Sequence, residues 1–224
     1  MAAHGPLSAR ERSEVMDDNV SQRRHDQKAS LVNLPNALTV LRLVLVPVFI
    51  LLALQSGEPL RWWAVIIFMV AAATDQLDGH IARSHNLVTD FGRIADPIAD
   101  KALTLSAFAV LSLADILPWW VTILIAVREL GITALRAVLL RRDIVVSANK
   151  GGKLKTVLQI LGIWLLLIPW DAIAQRYDAV APIARGFSIA GLIVVGLALI
   201  VTLWSGWVYV SEGVRLWRAS NEQS

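Results

Sequence analysis

From Leu31 onward the chain is a series of long apolar runs with short polar interruptions. The first, LVNLPNALTVLRLVLVPVFILLAL, opens with a short amphipathic piece, meets Pro35 and Asn36 where a helix should begin, and ends near Gln55. QSGEP then reads as a turn. Five further apolar segments follow at roughly 62–83, 93–114, 117–141, 154–170 and 185–210. A helix needs about 20 apolar residues to cross a ~30 Å hydrocarbon core, with ~17–25 workable. The fifth segment is short by this measure, and the sixth is long enough to tilt or to run past the interface. The alternation of apolar and polar residues that marks a membrane barrel is absent. The pattern therefore predicts an all-α integral membrane protein with six transmembrane helices, and no internal repeat stands out.

Composition agrees with this reading. Hydrophobic residues make up 56% of the chain, against roughly 45–50% in ordinary globular domains. Trp62, Trp63, Trp119, Trp120 and Trp170 lie near the ends of apolar runs, where interfacial aromatics collect. Cysteine is absent, which excludes a disulfide framework, a thiolate metal site and a cysteine nucleophile. Residues 1–30 are polar, mixed in charge and without the apolar stretch of a signal peptide. They are expected to be a disordered cytoplasmic extension. Residues 31–210 then form the membrane domain and residues 211–224 a cytoplasmic tail.

The net charge of +3 says less than its placement. Arg141, Arg142, Lys150, Lys153 and Lys155 lie between the fourth and fifth segments, Arg23, Arg24 and Lys28 precede the first, and Arg215 and Arg218 follow the sixth. With six spans all three groups fall on one side, and the rule that basic loops stay inside makes that side cytoplasmic. Both termini should then face the cytosol, with the protein multi-pass in the cell (inner or plasma) membrane.

On that same side, between the second and third segments, lies TDQLDGHIARSHNLVTDFGRIADPIADK, with Asp75, Asp78, Asp90, Asp96 and Asp100. Asp75 and Asp78 are three apart, Asp96 and Asp100 four apart, so each pair shares a helix face. Two antiparallel helices can present the pairs to each other, with Gly79 and Gly92 allowing close approach. Four facing carboxylates must either take up protons or hold cations. Hard oxygen ligands without histidine or cysteine select Mg²⁺, Mn²⁺ or Ca²⁺. Two such ions would suit phosphoryl chemistry. An EF-hand fits poorly, because Leu77 occupies a ligand position. A solvated hairpin of surface acids is the bland alternative, weakened by how many acids lie against membrane helices.

The segment reads D-x2-D-G-x2-A-R-x8-G-x3-D-x3-D from Asp75 to Asp100 and resembles the signature of the CDP-alcohol phosphatidyltransferase family at every fixed position. The resemblance implies six transmembrane helices around a polar, cytosol-facing cavity, a homodimer, and a site for two Mg²⁺ or Mn²⁺ ions. It also implies transfer of a phosphatidyl or related group from a CDP-linked donor to an alcohol, releasing CMP. Asp75, Asp78, Asp96 and Asp100 match the metal ligands, and Asp100 matches the base that takes the acceptor's proton. Gly79, Arg83 and Thr89 match positions that contact the cytidine diphosphate. Asp90 falls outside the motif and is read as a surface residue.

Three further polar groups sit where lipid forbids idle ones. Asn36, Thr39 and Arg42 share one face, and LPNALTVLR resembles the family's P-N-x2-T-x2-R opening, whose polar groups help hold the nucleotide. Asn36 and Thr39 are assigned to CDP-diacylglycerol and Arg42 to the acceptor's phosphate. The competing reading is a helix cap at Asn36 with Arg42 snorkelling. Arg128 and Glu129 of VREL lie about 16 Å into the fourth helix at 1.5 Å per residue. A pairing between them is not expected, because adjacent side chains point ~100° apart, so Arg128 becomes an anion ligand. Lys153 and Lys155 of GGKLKT either touch anionic lipid or complete an anion pocket with Arg128. Together these motifs resemble the glycerophosphate branch of the family, in which CDP-diacylglycerol meets glycerol 3-phosphate at the bilayer surface. An inositol-phosphate acceptor would use a similar pocket. A divalent-cation transporter is the reading from another class, opposed by acids clustered at one interface beside basic residues. No nucleic-acid partner is expected.

Overall fold

The computed structural model describes residues 34–85, 90–142, 144, 146 and 150–221, with side chains described at 37–74, 98–142, 144, 146 and 152–219. The expected disorder of residues 1–30 lies outside them. Among the described residues there is no strand. Six helices of 18 residues or more follow one another: α1 (Leu34–Ala53), α2 (Glu58–His85), α3 (Asp90–Leu113), α4 (Trp119–Leu140), α5 (Lys150–Leu167) and, after a short α6 (Trp170–Arg176) and a 3₁₀ turn (Asp178–Val180), α7 (Ala181–Asn221). Each of the six predicted segments has its helix. The unforeseen elements are α6 and the 3₁₀ turn. Pro169 breaks the fifth helix, and the chain restarts at Trp170 for seven residues.

The breaks between helices follow local chemistry. Gly57 has φ +134°, a conformation that side-chain-bearing residues avoid, so QSGEP turns at its glycine. Asp115 takes φ +55° and ends α3 in a Schellman motif. The Ile116 N–H reaches the Leu111 carbonyl at 3.0 Å, and the Asp115 N–H reaches that of Ser112 at 3.2 Å. Pro118, extended at φ −68° and ψ 138°, then opens α4.

α1 packs on α2 and α3, α5 lies along α7, and α4 bridges α3 and α7. The centre is filled by Phe49, Phe68, Phe108, Leu111, Ile125, Ile163 and Val195, all at most 1% exposed. Phe49 and Phe68 meet with ring centroids 5.7 Å apart. The seam between α5 and α7 is tight at its glycines. A methyl added at Gly162 would lie 2.7 Å from the Val195 side chain, and one at Gly191 2.7 Å from that of Leu166. In lipid, where burying apolar surface gains little, such backbone proximity is what holds helices together.

Large apolar side chains also lie on the outside of the bundle. Ile193, Ile200, Trp204 and Trp207 of α7 are all more than half exposed. A helix apolar all round belongs in a core or a membrane. Among the described residues two stretches are long and apolar enough to cross one, Gly152–Arg176 and Asp178–Ala219.

Candidate active site

The aspartate motif is carried by two helices that touch, α2 and α3. Asp75, Asp78, Gly79 and Arg83 fall within α2, and Asp90, Gly92, Asp96 and Asp100 within α3. Of these, only Asp100 has a described side chain; Thr89, between the helices, lies outside the described residues, as does the side chain of Asn36. Among the described residues no three acidic or histidine side chains converge as a metal cluster, and three of the four motif aspartates are not among them. The Asp100 carboxylate is 42% exposed, with Oδ2 3.8 Å from Lys101 Nζ. A carboxylate reachable from solvent is placed where a substrate hydroxyl could approach it.

On α1, Thr39 and Arg42 are buried at 1% and 0% exposure. A snorkelling Arg42 would have run out to the interface. The observed side chain is instead enclosed by the protein.

A charged cluster is built from four helices. Glu129 of α4 is 6% exposed. Its Oε2 lies 3.4 Å from Lys101 Nζ of α3, and its Oε1 receives both Arg128 Nη1, at 3.1 Å, and Lys155 Nζ of α5. Arg128 is fixed further by α7: its Nε donates to the Thr202 carbonyl at 2.9 Å and its Nη2 to Ser205 Oγ at 2.7 Å. Gln159 Nε2 donates to Thr202 Oγ1 at 3.2 Å. Gly206 makes room for this reach, since a methyl there would come within 3.1 Å of Arg128 Cγ and Nε. An isolated buried carboxylate would be too costly to keep ionised. Here three cations surround it, and the cluster as a whole remains positive.

The structure thus brings Arg128 and Lys155 together, and Lys153 apart: it is exposed and does not join the cluster. One expectation is corrected. Arg128 and Glu129 do pair, although their Cα–Cβ directions diverge. The long guanidinium stem is turned by its bonds to Thr202 and Ser205, which swings Nη1 back over the neighbouring carboxylate. Sequence reasoning did not assign Lys101, Gln159, Thr202 or Ser205. A signal was present: Thr202 and Ser205 are polar and three apart in an otherwise apolar run, so they mark one helix face as non-lipid.

Comparison with known proteins gives a consistent picture. Residues 32–204 match the family described as CDP-alcohol phosphatidyltransferase. A protein of Mycobacterium tuberculosis named "Probable phosphatidylglycerophosphate synthase" is 41% identical over 191 residues, covering 84% of this chain and 85% of the relative. Proteins named "CDP-diacylglycerol--glycerol-3-phosphate 3-phosphatidyltransferase" are similar too. That of Bacillus subtilis is 34% identical, covering 85% of this chain and all of the relative. That of Escherichia coli is 36% identical, covering 80% and 93%.

Proposed function

The chain belongs to the CDP-alcohol phosphatidyltransferase family, and from that premise we propose that it transfers the phosphatidyl group of CDP-diacylglycerol to the primary hydroxyl of sn-glycerol 3-phosphate, giving phosphatidylglycerophosphate and CMP. The names of its relatives support this reading. The observation that carries the choice of acceptor is the cluster itself: Lys101, Arg128 and Lys155 gather at Glu129, and Lys101 also reaches the accessible Asp100, as suits an alcohol bearing a phosphate.

Asp75, Asp78, Asp96 and Asp100 offer only hard oxygen donors on two touching helices, which fits two Mg²⁺ or Mn²⁺ ions. When bound, such ions neutralise the donor's diphosphate and polarise its phosphorus–oxygen bond. Asn36, Thr39, Gly79, Arg83 and Thr89 hold the CDP-diacylglycerol headgroup, whose acyl chains stay in lipid. Arg42, Arg128 and Lys155 take the acceptor's phosphate. Lys153, exposed two residues earlier, meets the arriving anion rather than clamping it. With the phosphate anchored, the primary hydroxyl is held against the donor's β-phosphorus. Asp100 accepts its proton as the oxygen attacks, and CMP leaves beside Arg83. No enzyme-bound covalent intermediate is required.

The six long helices serve as six spans, with both termini and the site on the cytoplasmic side, as the lysine and arginine distribution supports. The working unit is a homodimer, as the family implies.

The test is an acceptor screen on the purified full chain in detergent with CDP-diacylglycerol and a divalent metal. Glycerol 3-phosphate should release CMP and yield phosphatidylglycerophosphate by mass spectrometry. Inositol, serine and phosphatidylglycerol should not react. Turnover of inositol phosphate instead would reassign the acceptor. Silence with every acceptor would refute an enzyme and return attention to cation transport.

A further inference from the structure

Glu129 is a buried acid at the centre of a pocket built to attract anions, and the family reading gives it no task. Its own chemistry should repel an incoming phosphate. The contacts around it resolve the conflict. Its two oxygens serve three cations that come from three helices, Lys101 on α3, Arg128 on α4 and Lys155 on α5. Lysine side chains are flexible four-carbon stems with strongly hydrated heads, and two of them crowded beside a guanidinium would swing apart. Glu129 gives all three a common point of attachment.

The donors left over suit one kind of ligand. Of the five N–H groups of Arg128, one goes to Glu129, one to the Thr202 carbonyl and one to Ser205. Two remain, on Nη1 and Nη2. Lys155 directs one N–H to Glu129 and keeps two. Three cations less one carboxylate leave two positive charges, matching a phosphate monoester, which carries about −1.5 to −2 at neutral pH. Lys101 lies between this cluster and Asp100, 3.4 Å from Glu129 Oε2 and 3.8 Å from Asp100 Oδ2. Through Lys101, the carboxylate that gathers the cations is therefore linked to the group assigned to take the acceptor's proton.

We propose that Glu129 is a positioning residue for the acceptor: by tying Lys101, Arg128 and Lys155 to one carboxylate, it shapes a pocket that seats the phosphate monoester of the acceptor at a set distance from Asp100. This rests on the reading that the acceptor is a phosphorylated alcohol. The sign of one measurement separates positioning from mere charge balance. If Glu129 were only a counter-charge, its removal would raise the positive charge of the pocket and tighten anion binding. If it positions, removal loosens the donors and weakens binding.

The experiment uses the full-length protein in detergent with divalent metal. Steady-state rates are measured against glycerol 3-phosphate and, separately, CDP-diacylglycerol, with inorganic phosphate as a competing anion. Glu129→Gln should raise the KM for glycerol 3-phosphate at least tenfold, weaken inhibition by phosphate in parallel, and leave the KM for CDP-diacylglycerol within about twofold. Glu129→Asp keeps the charge on a stem one methylene shorter and should fall between Gln and wild type. If Glu129→Gln does not survive purification as a monodisperse species, the Asp variant decides by the same comparison of the two KM values. An acceptor KM that stays put or falls, or an equal rise in both KM values, overturns the proposal. A wild-type enzyme that turns over only an unphosphorylated alcohol would instead overturn the function on which it rests.

Discussion

Replacing Arg128 with alanine tests whether the cluster recognises the acceptor. In the free protein Arg128 is held by three bonds of 2.7–3.1 Å to Ser205, Thr202 and Glu129, so its fork is set before any ligand arrives. A hydrogen bond to a charged group contributes about 1.5–3 kcal/mol, and each ~1.4 kcal/mol is tenfold in affinity. Losing one such bond to the acceptor's phosphate should raise the KM for glycerol 3-phosphate roughly 10- to 150-fold. The fold should survive. Glu129 keeps Lys101 and Lys155, and Ser205 Oγ still donates to the Thr202 carbonyl at 3.1 Å. Arg128→Lys keeps the charge but loses the planar fork, so it should recover only part of the affinity. The assay is initial rate of CMP release, varying each substrate with the other saturating. If both KM values rose together, or neither moved, Arg128 would be a structural tie between α4 and α7 and the acceptor pocket would have to lie elsewhere.

Other consequences can be checked directly. Asp100→Asn should lower kcat by about 10²–10⁴, the range for removing a general base; near-wild-type turnover would exclude that role. Chelation of divalent metal should abolish CMP release, and either Mg²⁺ or Mn²⁺ should restore it in a dialysed sample; activity that persists after chelation would refute the metal assignment. Gly191→Val overfills the seam between α5 and α7 at Leu166 and should destabilise the protein by about 1–3 kcal/mol, read as a lower midpoint of thermal unfolding in detergent. An unchanged midpoint would show that the seam can open at no cost.

The helices were legible in the sequence because long apolar runs bounded by turn residues read as helices, and each of the six runs has its helix. The aspartate motif was legible because its spacing lies within two adjacent helices. Contacts between distant segments left no such trace. Nothing in the neighbourhood of Lys101 announces Glu129, 28 positions away, or tells Arg128 of Ser205, 77 positions away. Arg128 and Glu129 were noticed because charge is rare at that depth, and misjudged because side-chain direction was taken from Cβ alone. The glycines of α5 and α7 gave the same kind of silence. Each looks ordinary in an apolar run, and only the partner helix shows which of them a methyl would displace.

α7 runs from Ala181 to Asn221 as 41 uninterrupted residues, about 60 Å at 1.5 Å per residue, roughly twice the hydrocarbon thickness. Near its far end, Trp217 lies under the Arg142 guanidinium, 3.9 Å from Cζ to the ring centroid, which moors the rod to the turn that follows α4. The same rod carries Thr202 and Ser205. Truncating the chain near residue 210, or fusing a bulky tag there, would therefore do more than trim a tail: it would cut this mooring and let sway at the tip travel down a stiff lever to the bonds that hold Arg128.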